Sequence, residues 1–190
     1  MTKIAEKTKM RIIKAAKVAF SENGYTKTTI KDISSSADVG VGSIYLYFKN
    51  KEDLYRTLIK KEINYFNEYT NTFKENPPLE ALQAIFGYYM DYSVKNMRLL
   101  PFNMGEHIYN IGKVFNYDFY CQQKNLFSYI LGRGVTLNIF KKLDPVKTAD
   151  LFICALRGLI IGYIRKDIAD LRIFRDIFLD SIVCGIRSVN

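Results

Sequence analysis

Apolar residues recur at helical spacing from the start of the chain. Ile12, Ala16, Ala19 and Phe20 fall at i, i+4, i+7 and i+8, one stripe of a 3.6-residue helix, and predict a helix over residues 8–22. Asn23-Gly24 stops it, since Gly tolerates a left-handed cap. Thr29 and Asp32 are spaced as a capping box and open a short second helix that ends near Ser36, with Ile30, Ile33 and Ala37 inward. A tight turn at Asp38-Val39-Gly40 leads to a third short helix, Val41 to Tyr47, with Ile44 and Phe48 pointing one way. Asn50 caps a fourth helix, with Asp53 in its first turn. Leu54, Leu58 and Phe66 form its stripe, and the pattern runs to Phe73.

Beyond Pro77-Pro78 the pattern predicts helices over 79–96, 115–131, 145–166 and 170–187, with an irregular or short helical stretch at 97–111. Gly132 and Gly134 loosen the chain before a short helical stretch to Lys142. Asp144-Pro145 is a start signal, Asp as N-cap and Pro at the first helical position. No strand alternation competes. The fold class is all-α, about nine helices, in two parts: residues 1–50 as a helix-turn-helix domain and residues 51–190 as a helical domain, joined by the helix from 51 to 73.

Charge separates the two parts. Residues 1–61 hold thirteen Lys/Arg against six Asp/Glu, a net +7 of the chain's +9. That is the footprint of a small nucleic-acid-binding domain, while a solvated basic face is the plainer alternative. Aromatics thicken after residue 62, and with fourteen Tyr and thirteen Phe in 190 residues a dry core is oversupplied with hydroxyls.

Other chemistry finds little support. Cys121, Cys154 and Cys184 are odd in number and form no CxxC, and His107 is the single histidine, so neither a disulfide framework nor a metal site is expected. No nucleophile–base set or phosphate loop is written, so no enzyme and no cofactor is expected. The most apolar run, Leu151 to Ile164, is fourteen residues with Arg157 inside, short of the roughly twenty a membrane helix needs. The N-terminus lacks an apolar core of the signal-peptide kind. A cytoplasmic protein is expected.

Two short helices joined by a tight turn make a helix-turn-helix, whose second helix enters the major groove and must be slim. Gly40, Gly42 and Ser43 keep it slim. Ser43, Tyr45, Tyr47 and Lys49 offer donors to phosphates, and Thr28 and Thr29 stand at a helix N-terminus suited to a phosphate. Val41 cannot hydrogen-bond a base but can pack on a thymine methyl.

The string from Ala19-Phe20 through Gly24-Tyr25, Thr28 to Ile33, and Ala37 to Leu54, with its ending Ile44-Tyr45-Leu46-Tyr47-Phe48-Lys49-Asn50-Lys51-Glu52-Asp53-Leu54, resembles the TetR family of bacterial transcriptional regulators. The resemblance is specific over about residues 8–60 and departs at Asp38, where the family often has Gly, and at Gly40-Val41. It implies DNA contacts at Thr28 or Thr29, Val41, Gly42, Ser43, Tyr45, Tyr47 and Lys49. Tyr45 and Lys49 would anchor phosphates, and Val41, Gly42 and Tyr47 would face base edges.

It further implies a ligand pocket in the second part, with candidates Tyr89, Tyr92, Phe102, Met104, His107, Tyr109, Phe119 and Phe127. Asp91, Glu106 and Asp118 would suit a cationic ligand, Arg98 and Arg133 an anionic one. The last two long helices would form a homodimer interface, with candidates Phe152, Ala155, Gly158, Leu159, Gly162, Phe174, Phe178 and Ile182. The function implied is a DNA-binding regulator, a repressor released from an inverted-repeat operator by a small, mainly apolar or aromatic effector. Control by a protein partner is the alternative.

Overall fold

A computed structural model describes residues 3–96, 99 and 106–187; within these, the side chains of 106–116, 172 and 182–184 are not described. Eight helices are present among the described residues: α1 (Lys3–Lys27), α2 (Ile30–Ser36), α3 (Val41–Tyr45), α4 (Lys51–Asn71), α5 (Pro78–Lys95), α6 (Glu106–Thr136), α7 (Pro145–Ile164) and α8 (Leu171–Ile186). The fold is all-α.

The chain divides into two compact units, Met1–Asn64 with Asn96–Phe115, and Tyr65–Lys95 with Asn116–Asn190. The boundary falls later than residue 50. The reason is packing: Leu54, Tyr55, Leu58 and Ile59 of α4 are buried in the same core as Ile12, Phe20, Ile33 and Ile44. Tyr55 also donates its hydroxyl to the carbonyl of Leu99 at 2.8 Å.

Local chemistry fixes unit one. Gly24 interrupts α1 with φ 74, ψ 166, a conformation that only glycine adopts readily. After this break the Tyr25 ring lies against Phe20 and Tyr55, at centroid distances of 5.7 and 4.9 Å. Thr29 caps α2: its hydroxyl accepts from the Asp32 N–H at 3.2 Å, and its own N–H donates to the Asp32 carboxylate at 2.8 Å. These two bonds satisfy backbone donors that a helix start leaves open, and the Thr29 hydroxyl, donating to the Asp32 carboxylate at 2.7 Å, together with the Thr29 N–H holds that carboxyl below its ordinary pKa. In the turn, Asp38 takes φ 49, and Arg11 of α1 ties that turn down through the carbonyls of Ala37 at 2.6 Å and Asp38 at 2.9 Å. Aspartate is among the few residues that tolerate this left-handed position, which accounts for it where a glycine is common.

In unit two, Phe86 is buried against the rings of Phe127, Phe152 and Phe178. Gly132 and Gly134 do not loosen the chain: α6 runs straight through both to Thr136. Gly134 is required by packing, because a β-carbon there would stand 2.0 Å from the Phe140 ring. The stretch after α6 is not helical; Phe140 instead forms an isolated antiparallel bridge with Arg187. Asp144 caps α7 by accepting from the N–H groups of Val146 and Lys147, with Pro145 at the first turn. No helix among the described residues is long and apolar enough to cross a membrane.

Candidate nucleic-acid interface

The helix-turn-helix stands on two buried side chains. Ile44 of α3 is 0% exposed and Phe48 just beyond it 2%, both within the core of unit one. They fix the rotation of α3 and so decide which residues face outward. Val41, Gly42 and Tyr45 are exposed, and so is Leu46 immediately after the helix. Gly40 precedes the helix without a side-chain cap. A β-carbon on Gly42 would meet nothing within 4 Å, so this surface is flat and open to a close approach.

The other expected contact residues separate into two groups. Thr29, Tyr45 and Lys49 are exposed, and the Lys49 N–H is fixed by the Asp53 carboxylate at 2.9 Å. Ser43 is half-buried. Tyr47 is half-buried as well and packs against the unit-one core, which turns its ring away from the outer arc of α3. Thr28 requires a correction. It is 1% exposed, and its hydroxyl donates to the carbonyls of Ala19 and Gly24, so it braces the break in α1 and is closed to a phosphate. Of the threonine pair, Thr29 is the one at the surface. Sequence reasoning passed over Leu46, which is 82% exposed. Its signal was phase: it lies one turn beyond Gly42, on the side opposite Ile44.

Cations of this unit divide the same way. Lys27, Lys31 and Lys49 are exposed. Lys51 turns inward, donating to the carbonyls of Tyr25 and Thr28 at 2.9 Å each, with its ammonium 4.3 Å from the Tyr25 ring centroid. Burial lowers its pKa. It ties the start of α4 to the break between α1 and α2.

Among the ligand candidates, Tyr89, Tyr92 and Phe119 come together around Phe66, at centroid distances of 5.0, 5.1 and 5.2 Å. Tyr89 is deeply buried, which raises its hydroxyl pKa. Phe127 sits in a different ring set, between Phe86 and Phe152, wholly inside the core. Phe102 and Met104 lie outside the described residues, as do the side chains of His107 and Tyr109. Of the charged candidates, Asp91 and Asp118 are exposed. Arg133 is engaged with the carbonyls of Lys74, Glu75 and Asn76 and is not free for an anion. Arg98 and the Glu106 side chain lie outside the described ones. A polar group that sequence reasoning missed is Gln123, one turn from both Phe119 and Phe127 on α6. Its amide donates to Asn67 at 2.7 Å, while its Oε1 is buried without a hydrogen-bond partner.

The interface candidates on α7 divide between the core and the surface. Phe152 is 1% exposed and belongs to the core. Leu159 packs on that core, and Gly162 lies close to the Ile168 side chain. The outward stripe is Leu151, Cys154, Gly158 and Ile161. On α8 the exposed apolar residues are Ile173, Phe174 and Ile177. Phe178 faces inward against Phe86, Ala155 is half-buried, and the Ile182 side chain is outside the described ones.

Residues 12–58 match the bacterial regulatory proteins of the tetR family. The chain is 33% identical over 93 residues to the biofilm operon icaADBC HTH-type negative transcriptional regulator IcaR of Staphylococcus epidermidis, covering 48% of this chain and 50% of that protein. It is 46% identical over 59 residues to the fatty acid metabolism regulator protein of Bacillus subtilis, covering 31% of this chain and 30% of that one. The aligned part thus spans about half the length of the curated relatives or less. The fold extends further. The transcriptional regulator FadR from Bacillus subtilis in complex with stearoyl-CoA superposes with TM-score 0.72 at 24% identity, covering 94% of this chain and 99% of that one. A SmeT–triclosan complex superposes with TM-score 0.79 at 18% identity, covering 96% and 92%.

Proposed function

We propose that this chain, a member of the tetR family of bacterial regulators by its residues 12–58, is a homodimeric, sequence-specific repressor. Its α3 would enter the major groove of each half of an inverted repeat. The observation that carries the reading is the outer face of α3. That face is exposed, narrow and built on Ile44 and Phe48, within a segment of net charge +7. Thr29, Ser43, Tyr45 and Lys49 would hold the phosphates, and Val41 and Gly42 would meet base edges.

The second unit would take a small, mainly apolar or aromatic effector. The ring cluster around Phe66 supports this, as does the unpartnered Gln123 Oε1, an acceptor that a ligand donor would satisfy. Stearoyl-CoA and triclosan in the two similar structures agree with an apolar occupant. Effector binding would favour a state in which the two α3 helices no longer match successive grooves, which needs only a few kcal/mol of differential affinity. The second copy would dock through α7 and α8, whose exposed apolar residues supply the face.

Selection of bound sites from random duplex DNA, followed by affinity against salt, tests the reading. An inverted repeat with steep salt dependence supports it. Weak binding without a motif overturns it.

A further inference from the structure

We infer that the base readout of α3 is apolar, and that Leu46 and Val41 select thymine by its C5-methyl group. This rests on the reading that α3 enters the major groove. At about 100° per residue, Val41, Tyr45, Gly42 and Leu46 follow one another around an arc of about 140° on the side away from Ile44. Leu46 keeps the helical phase, with φ −68 and ψ −25 at the C-cap. All four are exposed, at 41% for Val41, 53% for Tyr45 and 82% for Leu46.

The arc carries no Arg, Lys, Asn, Gln, Asp or Glu, and its only polar side-chain group is the Tyr45 hydroxyl. Guanine, adenine and cytosine are distinguished in the major groove by donors and acceptors, which need polar partners. Pressing an aliphatic side chain against those edges strips water from them and returns no hydrogen bond. Thymine alone offers an apolar group there. Gly42, with open space where a β-carbon would be, lets the base edges come close enough for Leu46 and Val41 to reach a methyl. Leu46 lies outside the unit-one core, so its burial is gained on docking. The exposed Lys27, Lys31 and Lys49 of this basic unit favour DNA over an apolar protein surface as the occupant.

The test uses the full chain and a duplex chosen by selection from random sequence. Each thymine is replaced in turn by deoxyuridine, which removes the methyl and leaves the hydrogen-bonding edges unchanged. Affinity is expected to fall about three- to fourfold at one or more positions per half-site, the worth of one buried methyl. Leu46→Ala is expected to bind the thymine and uracil duplexes alike at one such position, with an unchanged unfolding temperature because Leu46 is exposed. Equal binding of the parent to all the duplexes overturns the inference and leaves DNA binding standing. So does a methyl dependence that survives both Leu46→Ala and Val41→Ala. Failure of the parent to select any sequence overturns the groove reading as well.

Discussion

Gly134 lies directly beneath the ring of Phe140. A β-carbon on it would stand 2.0 Å from one ring carbon and 2.2 Å from the next, and its carbonyl accepts from the N–H groups of Ile139 and Phe140. The ring is 2% exposed and has no room to retreat.

Gly134→Ala should therefore destabilise the protein. Alanine favours a helix over glycine by about 1 kcal/mol, but overpacking costs about 1–3 kcal/mol or more, and the backbone bonds resist relief. A net loss of up to about 2 kcal/mol is expected, read as a fall of a few degrees in unfolding temperature. Gly87→Ala, where nothing lies within 4 Å, is the control and should be neutral or stabilising. Equal behaviour of the two would contradict the packing.

Such contacts mark the limit of what the sequence makes legible. The capping box of Thr29 and Asp32, the Asp144-Pro145 start and the break at Gly24 were readable because each acts within a few residues. The role of Gly134 depends on a ring that the chain brings back after α6 has ended. Phase was the other limit. Helix α7 is apolar nearly all round, so its pattern does not say which stripe is covered, and Phe152 belongs to the core whereas Leu151 faces out. Thr28 and Thr29 show the same ambiguity one residue apart: one hydroxyl is sealed inside, the other caps a helix.

The capping box titrates. Because the Asp32 pKa is lowered by its bonds from Thr29, its stabilising effect is present above the ordinary carboxylate value near 4 and is lost as pH falls through the lowered folded value. Asp32→Asn should lower the unfolding temperature at pH 7, and the gap to the parent should close as pH falls below the ordinary carboxylate range. Thr29→Ala should cost about 1 kcal/mol at pH 7. A gap for Asp32→Asn that does not depend on pH would contradict this role.

Lys49→Ala should weaken binding to all duplexes alike and lower the salt slope by about one unit per half-site. Fluorescence anisotropy at several salt concentrations measures it. An unchanged slope removes Lys49 from the phosphate contacts.

The outward apolar residues of α7 and α8 should be where two copies meet. Leu151→Asp and Ile177→Asp place a charge on side chains that are 64% and 56% exposed in the single chain, so neither disturbs the core of unit two. Sedimentation should show each variant at half the parent's mass. Variants that remain dimeric would move the interface elsewhere.

The inward turn of Lys51 limits how DNA affinity scales with ionic strength. Of the thirteen cationic side chains in residues 1–61, several are already held within the fold, among them Lys51 on two carbonyls, Arg11 on the turn, Lys17 on Glu62, Arg56 on Glu52 and Lys61 on the Met10 sulfur. A cation held in this way displaces no counterion from a phosphate. Ion release per subunit therefore falls short of what the thirteen cations of the segment would give if all were open to phosphate.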